Sequence, residues 1–428
     1  MPKIVFIGAG SVVFTKNLLV DILSFPELQH SVIALHDIDP ERLDTAERMA
    51  RWTAAAVGAA PEITATLDRR EALANADYVI NMIQVGGHSA TLIDFDIPRR
   101  YGLQQTIGDS HGIGGIFRAL RTIPVLLDIV RDMEAVCPRA LLLNYTNPMS
   151  MLCWAVFASS PIQVVGLCHS VQHTTRQIAA YAGIPYEEVS YLGAGINHVA
   201  WILKFEHNGQ DAYPLLRAAA ERGDIPREDS VRAELFRRLG YYVTESSEHN
   251  AEYSAHFIPH AGEIERLAIP IDEYVRRSEA NLAEYQAIRA RLLNGEAFPI
   301  ERSAEYASLI IHSIETGQPR VVYGNVENDH LIDNLPQGCC VEVPCLVDSN
   351  GIQPTRIGSL PPQCAGMSRQ HVAVQELTVR AALEGRRDYV YQAAMLDPLC
   401  AATLPLDRIW AMVDELIAAH GQALPELR

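Results

Sequence analysis

No apolar run in the 428-residue chain reaches membrane-spanning length before Pro, Asn or Gly interrupts it, so a membrane partner is not expected. Positive charge is also short: 35 Lys and Arg stand against 52 Asp and Glu, a formal net charge of −17. That balance excludes the basic face that nucleic acid or an anionic surface requires, and no basic cluster advertises a phosphate on the substrate. The eight cysteines lack the tight, even spacing of a secreted disulfide scaffold and are expected to stay reduced. "MPKIVFIGAG" enters a strand at once, without a signal-peptide layout, so a cytoplasmic address is expected. Internal repeats and low-complexity segments are missing too. What remains is a globular chain, 48% hydrophobic, able to bury a large core in two intimately joined lobes and expected to act on a small molecule.

The first half alternates strand and helix. "KIVFIGAG", "SVIALHDID", "DYVINMIQVGG", "ALLLNYTNP" and "IQVVGLCH" read as strands. Between them "TKNLLVDILSF", "PERLDTAERMARWTAAAV", "RALRTIPVLLDIVRDMEAV" and a segment after Pro148 read as helices. This order predicts an α/β fold with a Rossmann-like, doubly wound parallel sheet over residues 1–190. Past residue 190 the texture changes. Hairpin-like strands around "HVAWILKFEHNGQDAY", the charged helix "DEYVRRSEANLAEYQAIRARLL" and the strand pair "PRVVYGNV" and "CCVEVPCLV" predict an α+β second lobe, 191–428, continuous with the first.

"VFIGAGSVVF" carries Gly8 and Gly10 of a dinucleotide-binding fingerprint but has Val13 where a third glycine is usual. Gly8 suits the tight turn, and Gly10 lets the backbone, with Ser11, approach a pyrophosphate at a helix N-terminus. Asp37 or Asp39, closing the next strand, would accept from a ribose hydroxyl and repel a 2′-phosphate, which favours NAD over NADP. Gln84 and Asn144 fall at strand ends where loops would approach the cofactor.

Cys168 ends another strand of the series, where open α/β sheets place their ligands. His198, in "GAGINHVAW", is a second candidate metal donor, expected in a strand of the next lobe. Two protein ligands leave positions for substrate hydroxyls and water, as a Lewis-acid site requires. The residues taken singly also fit plain packing, a small buried thiol and a hydrogen-bonded core imidazole.

In this order, "IGAGS", "NYTNP", "GLCHS", "GINH" and "ESSEH" resemble glycoside hydrolase family 4, the NAD- and metal-dependent glycosidases, over essentially the whole chain, and within it the bacterial α-galactosidase branch. The resemblance implies hydrolysis by an unusual route. NAD⁺ oxidises C3 of the sugar, a base removes the acidified C2 proton, the C1 substituent is eliminated, water adds, and the hydride returns. It implies Mn²⁺ or another divalent metal on Cys168 and His198, and His169 as acid to the leaving oxygen or as a pocket donor. Asn147 and His249 would bind substrate, and a homodimer or homotetramer would form. For the C2 base it offers Asp109 and Glu245 ahead of Tyr253. "DSHGIGG" departs from the pattern of that branch: His111 could meet a carboxylate, which keeps galacturonides and glucuronides open beside galactosides and glucosides. A 2-hydroxy-acid dehydrogenase is the reading from another class, with Arg118 or Arg121 clamping a substrate carboxylate. A silent NAD-binding sensor is a third.

Overall fold

Short runs of Val, Ile, Leu and Phe bounded by Gly, Asp or Asn become the buried strands of a parallel sheet in a computed structural model that describes residues 1–428. These are β1 (Lys3–Ile7), β2 (Val32–His36), β4 (Tyr78–Asn81), β5 (Leu141–Asn144) and β6 (Val164–Gly166), with the half-exposed β3 (Glu62–Thr66) at the sheet edge. They lie side by side in the order β3-β2-β1-β4-β5-β6, all parallel. The expected Rossmann-like fold is present, with the strand order reversing at β1 and β4, where a ligand crevice forms.

The second half adds β7 (Val189–Ile196), β8 (Val199–His207), β9 (Gln210–Asp211), β10 (Tyr242–Val243), β11 (Arg320–Glu327), β12 (Cys340–Asp348) and β13 (Gly351–Pro354). These strands extend the same sheet. β11 joins β6 at Asn325 opposite Gly166, and β12 joins β7 at Glu342 opposite Gly195, both antiparallel. The main path runs β10-β8-β7-β12-β11-β6 and onward, with β9 and β13 at its margins. One sheet therefore crosses both halves, and one large core cluster draws on both.

Several local expectations changed. "DYVINMIQVGG" leaves the sheet at Asn81, because Gly86 and Gly87 take left-handed backbone and start an unforeseen helix, Gly87–Tyr101. β3 was missed as well; its alternating "EITAT" is a half-exposed edge strand with little apolar signal. The helix expected from Arg118 begins earlier, at Gly112. Glycine permits that start, since a Cβ at Gly114 would lie 2.4 Å from the Gly108 carbonyl oxygen. His198 is not in a strand. With Asn197 it forms the two-residue turn between β7 and β8.

Candidate active site

At the carboxyl ends of β1, β2 and β4 lies a cleft of about 710 Å³, lined by Gly8, Gly10, Ser11, Asp37, Asp39 and Gln84 among others. Gly8, at φ +84, turns the chain out of β1. Gly10 N–H donates to Asp37 Oδ2 at 2.7 Å, and a Cβ on Gly10 would stand 2.6 Å from that oxygen. Asp37 Oδ1 accepts from Asp39 N at 3.0 Å, and Asp39 in turn caps the helix Pro40–Ala56 through the Glu41 and Arg42 amides. Val13, in the place of the third glycine, is exposed at the cleft on the first helix, Val12–Leu23. The second half covers the cleft: Tyr285 and Ile288 of the helix Glu273–Leu293 pack on Val12 and Met49. Asn144 does not line it. Its side chain is buried, accepting from Asn81 at 2.8 Å and donating to the Thr146 carbonyl at 3.0 Å, so it knots the ends of β4 and β5.

Beside this cleft the chain gathers a polar cluster. Cys168 follows β6, His198 sits in the β7–β8 turn, and Glu245 lies between β10 and the short helix Ser247–Glu252. One donor atom from each lies within 4.8 Å of the others. His198 Nε2 stands 3.8 Å from Glu245 Oε2, and His198 Nδ1 is 3.2 Å from the Tyr253 hydroxyl. Glu245 Oε1 is 3.3 Å from His249 Nδ1, while His249 Nε2 faces Asp109 Oδ1 at 3.8 Å. Asp109 also accepts from Ser110 at 2.7 Å and from Asn147 Nδ2 at 3.2 Å. Arg118 ties this group to the cleft, donating to the Asn147 carbonyl at 3.2 Å and to the hydroxyl of Tyr274, a cleft residue, at 2.8 Å.

The electrostatics follow from burial and close charges. Burial favours a neutral His249, yet Glu245 and Asp109 outweigh it and raise the imidazole to about 9. Burial pushes Asp109 up, but His249 and Arg118 hold it well below the usual carboxylate range. Glu245 is likewise lowered against its burial, by His198 and His249. The Cys168 thiol is pushed well above its usual range by burial, then by Glu245 and Glu342. Glu342, a carboxyl on β12 with neither oxygen partnered, is raised to about 8 by burial and Glu245.

A thiol surrounded by carboxylates and an imidazole is a donor set short of positive charge. Sulfur, nitrogen and oxygen together suit a divalent transition ion, so the residues present fit a metal. A second group, Asp109, His198 and His249, is equally close. It is the poorer candidate, because it lacks the thiol and Asp109 is already engaged by Ser110 and Asn147.

His169 is half exposed at the rim, its Nδ1 3.1 Å from Glu305 Oε1, and that bond raises the imidazole. Tyr253 is buried, packed edge-on against His111 with ring centroids 4.5 Å apart, and its phenol is pushed well up by burial and by Glu252. His111 does not await a substrate carboxylate. It is buried and held neutral by burial and by His371, with Nε2 on the Asn197 carbonyl at 3.1 Å, and so braces the turn that carries His198. Neither arginine is a free clamp: Arg118 is engaged as above, and Arg121 pairs with Asp94 at 2.7 Å in the interior. Residues that the sequence reading passed over include Glu342, Glu305 and Arg232. Glu342 had a legible signal, a lone acid inside the apolar strand "CCVEVPCLV". Glu305 and Arg232 had none, since each sits in an ordinary charged segment.

Comparison with known proteins shows the family and the fold. A model described as family 4 glycosyl hydrolase matches residues 3–184, and one for the family 4 glycosyl hydrolase C-terminal domain matches residues 193–400. The chain is 47% identical to an α-galactosidase of Bacillus subtilis over 100% of both chains. It is 36% identical to an α-galactosidase of Rhizobium meliloti, covering 99% of this chain and 89% of that one. In fold it is similar to a 6-phospho-α-glucosidase from gut microorganisms, solved in complex with NAD and Mn²⁺, with a TM-score of 0.83 at 18% identity over 100% of each chain.

Proposed function

The chain belongs to family 4 of the glycosyl hydrolases, and from that premise we propose that it is an α-galactosidase that uses NAD and a divalent metal, Mn²⁺. The observation that carries this reading is the closeness of Cys168, His198 and Glu245, within 4.8 Å, beside a Gly10–Asp37 dinucleotide cleft. A dehydrogenase needs no thiol there and would need a free arginine. Identity of 47% to one α-galactosidase and 36% to another supports galactose as the sugar.

Bound in the cleft and on Cys168 and His198, the two cofactors would supply a reversible oxidation at sugar C3 and a Lewis acid at its hydroxyls. The chain's own residues do the rest. Gly8, Gly10 and Ser11 present backbone to the pyrophosphate, and the Asp37 carboxylate accepts from the ribose and rejects a 2′-phosphate. Asn147 and Asp109 hold sugar hydroxyls, and Asp109 keeps His249 protonated as a donor to substrate. Glu245 is the C2 base. It lies in the same ring of atoms as the two metal donors, next to the carbon whose hydroxyl they would serve, and its ionised state suits proton removal. Asp109, committed to His249, Ser110 and Asn147, is the weaker base, and Tyr253 is held protonated. His169, oriented by Glu305, delivers a proton to the leaving oxygen.

The chain divides into a cofactor lobe, 1–190, and a lobe, 191–428, that brings His198, Glu245 and His249 to a substrate and metal site completed by Asp109, Asn147, Cys168 and His169 of the first. A reducing, cytoplasmic setting is part of the reading, since all eight cysteines are unpaired and Cys168 must remain a thiol. No helix is long and apolar enough to cross a membrane. The test is a panel of nitrophenyl α- and β-glycosides and uronides with and without NAD⁺, Mn²⁺ and a thiol. Turnover of the α-galactoside that needs NAD⁺ without accumulating NADH is expected. Steady NADH production from a hydroxy acid would overturn the reading.

A further inference from the structure

Arg232 does not line the dinucleotide cleft and meets the polar cluster only through a backbone carbonyl, yet it is buried to 1% exposure with every arm engaged. Nε and one terminal nitrogen grip both oxygens of Asp229, at 2.6 and 2.7 Å. The same terminal nitrogen reaches Gln177 Oε1 at 2.6 Å, and the other donates to Thr174 Oγ1 at 3.0 Å and to the Glu245 carbonyl. Asp229 is fixed in turn by hydroxyls from Tyr242 at 2.8 Å and Ser247 at 2.8 Å.

The partners decide the meaning. Thr174 and Gln177 belong to the helix Ser170–Ala182, which starts directly after Cys168 and His169. Glu245 holds left-handed backbone at φ +73, and its carbonyl has no backbone N–H as partner. A side chain on such a residue keeps its aim only if the surrounding structure over-determines the backbone. One planar fork thus spans the segment carrying Cys168 and the strained residue whose carboxylate faces His198 at 3.8 Å.

We propose that Arg232 is a positioning residue for the reaction: through the Glu245 carbonyl, and braced on Thr174 and Gln177, it sets the Glu245 carboxylate against Cys168 and His198. This rests on the assignment of Glu245 as the C2 base. Lysine keeps the charge but cannot make the fork, so Arg232→Lys loosens that aim without entering the site.

The test compares wild type, Arg232→Lys, Thr174→Val and Glu245→Gln, each loaded with NAD⁺ and Mn²⁺. It reads kcat and KM on p-nitrophenyl α-galactoside, the isotope effect of C2-deuterated substrate, and the binding of NAD⁺ by fluorescence and of Mn²⁺ by electron paramagnetic resonance. For Arg232→Lys, kcat falls about 100-fold, as for a misplacement near 1 Å. KM, NAD⁺ binding and Mn²⁺ binding stay within about threefold, well under the 10-fold that losing a metal's supporting contact costs. The C2 isotope effect grows, because proton removal becomes the slow step. Thr174→Val keeps the Asp229 pair and moves the same way by less, which carries the test should the lysine variant not fold. Near-normal kcat, or a fall in kcat with an unchanged isotope effect, overturns the positioning role. If Glu245→Gln still exchanges the C2 proton, the base assignment itself has failed, independently of Arg232.

Discussion

His198 and Glu245 face one another at 3.8 Å, Nε2 to Oε2, and each holds left-handed backbone, at φ +66 and +73. For a residue with a Cβ that conformation costs about 1–2 kcal/mol, and two such residues meeting at one point mark a site that function maintains against stability. Glu245→Gly and Glu245→Ala both remove the carboxylate, but only glycine relieves the backbone. In urea unfolding the glycine variant is expected to be more stable than the alanine variant by about 1 kcal/mol, with both inactive. Equal stabilities would show that the backbone there carries no strain.

Cys168→Ser exchanges a thiolate for a neutral alcohol. Mn²⁺ affinity should drop by at least about 10-fold in electron paramagnetic resonance titrations, while NAD⁺ affinity changes little. In wild type, Mn²⁺ should protect the thiol from iodoacetamide. A serine variant with ordinary Mn²⁺ binding and turnover would make Cys168 a packing residue.

Gly10→Ala brings a methyl group to 2.6 Å from the Asp37 carboxylate, which must turn away and release the Gly10 amide. The expected result is NAD⁺ binding weakened by about 10-fold or more, as befits a lost charged hydrogen bond and a blocked backbone approach. Mn²⁺ binding should not move. Unchanged NAD⁺ affinity in a calorimetric titration would place the cofactor elsewhere.

Asp397 lies far from this chemistry in sequence and gives a clean pH test. Burial raises its carboxyl to about 6, although it accepts from the Cys400 amide at 2.9 Å. The folded protein therefore holds this proton after the unfolded chain has released it, so stability falls as pH rises from about 4 to about 6 and stays reduced above. Asp397→Asn keeps a capping acceptor and removes the buried charge. It should stabilise the protein by about 1–3 kcal/mol near pH 7.5 and by progressively less toward about pH 4.5. A gain independent of pH would contradict the assignment.

The legible parts of this molecule were those with local signals. β1, β2, β4 and β5 announced themselves as apolar runs ending in Gly, Asp or Asn, and Gly8, Gly10 and Asp37 occupy the turn and strand end that the fingerprint implied. Cys168 could be placed at a strand end for the same reason. The sequence could not say that His198 sits in a turn, because the strands flanking it read as one apolar stretch. Nor could it orient His111, whose burial depends on His371 from a distant helix. The tie between Arg232 and Glu245 joins two segments through a carbonyl, and a backbone acceptor leaves no mark on composition.

The most direct test of the account is the fate of hydrogen at sugar C2. Hydrolysis of p-nitrophenyl α-galactoside in D₂O, with NAD⁺, Mn²⁺ and a thiol present, should release galactose carrying deuterium at C2, read by NMR before any non-enzymatic exchange. Displacement by a carboxylate pair leaves that position untouched. Galactose that retains only protium at C2 after full turnover would contradict proton abstraction by Glu245 and the role given to each residue around it.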